Sequence, residues 1–178
     1  MIGRARLSAV VALLLFSCAG LAQQPKTEPK KQERVRIGIA PVRNLTAEAL
    51  SVNLLAVELR QELMTKTTDA EILLGATDEE IKADAEKKKC DYILFADVDL
   101  LRRSGPLGRP TKRDIGEPDE PSANYVGRLH FRLIELANEK TRLDQKVMSA
   151  GRGFSAQDTA INLTHSVRTP VLRALGIK

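Results

Sequence analysis

Residues 91–101 read DYILFADVDLL, a strand pattern whose first half is apolar enough to be buried on both faces of a sheet. A strand of that kind cannot sit at a solvated surface. It demands a covering layer on each side, and the segments around it alternate between strand and helix patterning in a way that supplies one. VRIGIAPV (Val35–Val42) opens the series, with Val35, Ile37 and Ile39 alternating with Arg36, Gly38 and Ala40. The small residues at Gly38 and Ala40 permit close packing, so this strand is expected to be central. RNLT follows, with Thr46 as the expected N-cap of a helix over AEALSVNLLAVELRQELMTK, where Glu48 lies in the first turn and Lys66 in the last. Leu50, Leu54 and Val57 lie beside Leu55, Leu59 and Leu63, a wide apolar face that needs cover.

AEILLG (Ala70–Gly75) is the next strand, and TDEEIKADAEKKK the next helix, with Thr77 and Glu80 at capping-box spacing and a thin apolar stripe of Ile81 and Ala85. After Asp91–Leu101 comes RRSGPLGRPTKRDIGEPDEP (Arg102–Pro121), an irregular loop with a basic half and an acidic half. ANYVGRLHFRLIEL and RLDQKVMSAG are two further strands joined by a hairpin connection, ANEKT. Tyr125, Leu129, Phe131 and Leu133 define a core face interrupted by Gly127, and Arg128, His130 and Arg132 fall on the opposite face. The last helix starts at Ser155, with Asp158 three residues on, and Pro170 is expected to kink it or to open a final turn. The order is β-α-β-α-β-β-β-α, and the expected fold is a single α/β (α+β) sandwich with a mixed sheet.

The N-terminus carries an export signal. Arg4 and Arg6 precede ten apolar or small residues, Leu7–Phe16, too few for a permanent span of about 20 residues. Small residues follow at Ser17, Cys18, Ala19, Gly20 and Ala22. Cleavage after Ala22 fits the small-x-small rule and is the favoured reading. Lipid attachment at Cys18, giving a membrane tether, is the alternative, with bulky Phe16 standing where small or β-branched residues are usual. Residues 23–34, opening QQPKTEPKKQE, form an expected disordered polar tether that reaches at most about 35–40 Å. The domain is expected over 35–178.

Composition narrows the function classes. Aromatics make up 3% of the chain and Trp is missing, which argues against base-stacking nucleic-acid modules and aromatic-lined sugar grooves. The formal charge of +5 falls to +3 once the two arginines of the signal are removed, a mild bias compatible with anionic partners. Cys90, just before the third strand, reads as a small buried residue. The two histidines, His130 and His165, have no carboxylate or cysteine at metal-ligand spacing. Asp97 and Asp99 share a strand face and suit at most weak cation binding, with no third ligand indicated. The NLT triplets at Asn44 and Asn162 read as a turn residue and a helix residue. No catalytic residue, metal site or cofactor is expected. The candidate contacts are the basic loop group Arg102, Arg103, Arg109, Lys112 and Arg113, together with the strand group Arg128, His130 and Arg132.

The series RIGIAPVRNLT, AEILLG, KKKCDYILFADV and FRLIELANEKTRLDQKVMSAGRG, with its intervening helices, resembles the periplasmic α/β domain shared by the TolB N-terminal module, the CsgG secretion lipoproteins and the LpoB-type activators of peptidoglycan synthases. The likeness spans residues 35–175. It implies a tethered envelope module that binds and regulates another envelope protein without catalysis. An oligomerising subunit of a secretion or trans-envelope assembly is the alternative, and an uncharacterised hydrolase a distant third. A CsgG-like pore is not expected, because residues 102–121 are too charged and proline-rich to line a lipid-facing barrel.

Overall fold

The structure is a computed structural model that describes residues 34–104, 124–149 and 155–177. The chain divides into two units, Met1–Lys31 and Gln32–Lys178, and the described residues belong to the second. The signal and tether readings, Cys18 included, lie outside the described residues.

The expected α/β fold is what the chain adopts. Six strands form one mixed sheet: β1 (Val35–Ile39), β2 (Arg43–Asn44), β3 (Thr68–Ile72), β4 (Tyr92–Ser104), β5 (Asn124–Glu135) and β6 (Lys140–Ser149). Its order is β3-β1-β4-β5-β6, with β2 also pairing with β4. β1 is parallel to both its neighbours, as two helical crossovers require, and β4, β5 and β6 form an antiparallel meander. The helices are α1 (Val52–Leu63), α2 (Asp78–Lys87), α3 (Ala156–His165) and α4 (Arg168–Ala174).

Strand alternation sorts the apolar residues into two layers. Ile37, Ile39, Leu94, Ala96, Val98, Leu129, Phe131 and Leu133 meet α1, α3 and α4 in the main core. Ile93, Phe95, Leu73 and Cys90 meet Ile81 and Ala85 of α2 on the other side. The double burial expected of YILF is therefore literal: alternate residues enter different cores. Gly38 is small because Leu73 lies over it, where a Cβ would stand 2.6 Å from Leu73 Cδ1. Gly127 is small because α3 crosses β5 there, where a Cβ would stand 2.8 Å from Leu163 Cδ1.

Four local expectations are corrected. The first strand ends at Ile39 and resumes as β2 after Pro41, which has no N–H to give the ladder. Thr46 caps no helix: Asn44 Oδ1 accepts from the Thr46 N–H at 3.0 Å and its hydroxyl at 2.8 Å, closing a turn, and α1 begins only after Ser51. Leu54 and Val57 are exposed, so the buried face of α1 is the narrower set Leu55, Ala56, Leu59 and Leu63. The last helix is two helices, with Pro170 in the first turn of α4, where a missing N–H costs nothing.

The caps of α2 and α3 match their sequence signals. Thr77 Oγ1 accepts from the Glu80 N–H at 3.3 Å, while the Glu80 carboxylate accepts from the Ala76 N–H at 2.7 Å. Ser155 Oγ accepts from the Asp158 N–H at 3.0 Å. Further along α2, Asp84 Oδ2 accepts from Lys88 Nζ at 2.7 Å and from the Leu74 N–H at 2.9 Å. The lysine first, then that N–H, hold the Asp84 carboxyl below the usual carboxylate range. A carboxylate depressed in the folded state stabilises the protein above its unfolded pKa, and that contribution fades as pH falls through the folded value. Asp84→Asn is thus expected to be less stable than the parent at neutral pH, with the gap closing below about pH 4, in urea midpoints measured across a pH series.

The two edges of the sheet differ. Thr67 O and the Leu73 N–H bond to β1, so the backbone groups of Thr68, Ala70 and Ile72 point away from the sheet. Those outward carbonyls are taken: Thr68 O by the Thr65 N–H at 3.1 Å, Ala70 O by Arg60 Nε at 3.0 Å and Ile72 O by Lys88 Nζ at 2.7 Å. The outward N–H groups of Thr68 and Ala70 donate to Thr65 Oγ1 and Asp69 Oδ1. The β3 edge is closed by its own neighbours. β6, at the other end, has β5 on one side only.

Candidate functional site

On the side of the sheet away from α1, α3 and α4, the cover given by α2 stops at Ile93, Phe95 and Ile134. Beyond it, β4, β5 and β6 present a face of charged side chains. β5 contributes Arg128, His130 and Arg132 because they alternate with the core residues Leu129, Phe131 and Leu133, as the sequence pattern requires. The three are brought onto one face but turned to three partners. Arg128 Nε donates to Asp99 Oδ1 at 2.7 Å. His130 Nε2 lies 2.7 Å from Asp144 Oδ1 on β6. The Arg132 guanidinium stands over the Phe95 ring, 5.5 Å from its centroid.

The acidic pair of β4 is likewise engaged. Asp97 is only 6% exposed and forms a bidentate pair with Arg43, Nε to Oδ1 at 2.6 Å and Nη2 to Oδ2 at 2.8 Å. Hydrogen bonding to Asp97 raises the Arg43 pKa, and Asp99 does the same for Arg128. A register shift between Val98 and Leu100 marks a bulge that aims Asp99 at Arg128. Each carboxylate that sequence offered as a weak cation ligand thus already holds a guanidinium. Among the described residues no group of three or more His, Cys, Asp or Glu side chains is arranged to hold a metal ion.

The basic loop group is split. Arg102 and Arg103 do not belong to an irregular segment: β4 runs on to Ser104, and they pair with Val126 and Tyr125 with their side chains exposed. Ser104 and Asn124 close the ladder, and residues 105–123 form the segment between them. Arg109, Lys112 and Arg113 lie in that segment, outside the described residues. A groove of about 700 Å³ at the other end of the sheet is lined by Arg34, Glu86, Cys90, Asp91 and Glu135, among others. Two of its carboxylates are committed to structure, Asp91 Oδ2 accepting from the Arg36 N–H at 2.8 Å and Glu135 Oε2 from Arg142 Nε at 2.8 Å, and burial pushes the Cys90 thiol up. His165 pairs with Glu62 at 2.8 Å, bracing α3 against α1.

Sequence reading did not single out Arg43, Asp144, Lys146 or the exposed Met148. The last three sit on the face of β6 next to Arg132, His130 and Arg128 respectively. The alternation in RLDQKVM, with Leu143 and Val147 turned to the core, was the signal for them.

No family model matches the chain, and no curated protein matches it either. Its fold does match solved structures. A dodecamer of PelC from Paraburkholderia phytofirmans, carrying a single leucine-to-methionine substitution, superposes with a TM-score of 0.59 at 14% identity, over 80% of this chain and 91% of that one. A second PelC dodecamer structure from the same organism gives 0.54 at 16% identity, over 84% and 93%. TolB from Acinetobacter baumannii gives 0.47 at 13% identity, over 80% of this chain and 28% of that one. At these identities the shared property is the fold: this chain has the α/β fold seen in PelC.

Proposed function

We propose that the chain is an exported cell-envelope protein that works without catalysis, as a module that binds another protein of the envelope. The observation that carries this reading is the charged face of β4–β6, which no helix among the described residues covers. Its charges are held in place by Asp97–Arg43, Asp99–Arg128 and Asp144–His130 contacts, which suit recognition of a complementary polar surface. The chemistry of these residues supplies no nucleophile beside His130. The N-terminal export pattern supports the envelope location, and the polar tether supports work close to a membrane if Cys18 is acylated. Arg109, Lys112 and Arg113 of the segment after Ser104 belong to the proposed contact by their charge. Crosslinking in intact cells tests this. The full chain should capture envelope proteins that a chain lacking residues 105–120 captures in lower yield, and equal yield of the same partners would remove that segment from the contact.

A second reading, a self-assembling subunit, draws support from the dodecameric state of the PelC structures whose fold the chain shares.

A further inference from the structure

Among the described residues β6 is the open edge of the sheet, and it is complementary to itself. β6 reads KTRLDQKVMS, and its regular stretch Leu143–Val147 is self-complementary about Gln145: Asp144 against Lys146 and Leu143 against Val147. In an antiparallel pair of identical strands related by a two-fold axis, residues equidistant from the centre stand opposite each other on the same face. We infer that two copies of this chain join edge to edge through β6, antiparallel and centred on Gln145, to make one continuous sheet across the dimer. This deepens the self-assembly reading and rests on it.

Four observations support the inference. In that register Asp144 of each copy meets Lys146 of the other on the charged face, and Leu143 meets Val147 on the helical face, where both are partly buried in the main core. Neighbouring registers lose this match. Centring on Asp144 or Lys146 sets that charge against its own copy, and centring on Leu143 carries the new ladder across the register shift at Arg142. The charges therefore select one alignment instead of only deterring association. The opposite edge cannot compete, because the β3 carbonyls that face outward are filled by Thr65, Arg60 and Lys88. On β6, among the described residues, the side-chain bonds of Arg142 to Glu135 and of Asp144 to His130 leave the outer backbone of Thr141–Met148 uncapped. With one edge closed and one open, sheet pairing ends at two copies, and a larger ring must use other surfaces.

Sedimentation or light scattering of the full chain, with two charge reversals, tests the pairing. Asp144→Lys alone and Lys146→Asp alone should each shift the protein toward monomer. An equimolar mixture of the two should restore the dimer as a heterodimer, since both lysines of the first variant then meet aspartates of the second. Restoration in the mixture separates pairing from misfolding, which a mixture does not repair. A covalent readout uses Gln145→Cys in a Cys18→Ala background. Paired residues on adjacent antiparallel strands hold their Cα atoms about 4.5–5.5 Å apart, within disulfide reach. A non-reducing gel should show a crosslinked dimer, and Thr141→Cys, four residues from the centre and beyond the register shift, should not give one. An assembly unchanged by both reversals and uncrosslinked at Gln145→Cys overturns the pairing while leaving self-assembly intact. A chain that is monomeric up to its solubility limit overturns both.

Discussion

Phe131→Ala is expected to lower the free energy of unfolding by about 3–5 kcal/mol. Phe131 is fully buried and heads the large side chains of the main core. On one side its strand neighbour is Ala96, a small residue that leaves room for a ring, and on the other it is Gln145 at the edge. Trp is missing and Phe scarce in this chain, so no other fully buried aromatic ring among the described residues fills the space between the sheet and its three helices. Truncation removes the transfer energy of the ring and leaves a void that rigid strands cannot collapse to fill. A loss of that size is a large part of the roughly 5–15 kcal/mol typical of a domain. Urea denaturation should show a much lower midpoint at an unchanged slope. Phe131→Leu, which keeps most of the volume, should cost about 1.5 kcal/mol or less. Near-equal midpoints for the parent and the alanine variant would mean that the ring is not the centre of the core.

Arg43→Met is expected to cost about 1–3 kcal/mol, out of proportion to the exposure of Arg43 itself. Just over half of the arginine side chain is accessible, and alone it would be an ordinary surface cation. Its importance comes from Asp97, which is nearly buried and takes both its hydrogen bonds from that guanidinium. Without Arg43 the carboxylate is left beneath the sheet surface with its charge uncompensated. The double variant Arg43→Met/Asp97→Leu should therefore recover at least half of the loss, because no charge is then left buried. A double variant as unstable as the sum of the two single changes would show that the pair is not coupled. Because β2 meets β4 at these two residues, the same variants report on how firmly the charged face is held.

The sequence alone was enough for the α/β class, the element order apart from the split last helix and the two-residue β2, and the sharing of one face by Arg128, His130 and Arg132. Each follows from periodicity, which depends only on residues close in the chain. The caps at Thr77 and Ser155 were legible for the same reason, since donor and acceptor lie three residues apart. The start of α1 was not. Asn44 and Thr46 had two local uses for their side chains, a turn or a cap, and a distant contact accompanies the outcome: the Ser51 N–H donates to Gln157 Oε1 on α3, 106 residues away. Exposure of Leu54 and Val57 was equally hidden, because the width of a covered face depends on how many helices reach it.

What the chain determined by itself is where its strands and helices lie and which residues each strand turns to either side. Only the tertiary structure decided which charges meet, as Asp97 with Arg43 and Asp99 with Arg128, and which edge stays open. Pairing across strands is set by register, bulges and sheet order, and these arise when segments far apart in sequence pack against one another. Arg60 and Lys88 seal β3 from two different helical segments. No local pattern in either segment foretold it, and among the described residues it leaves β6 as the open edge.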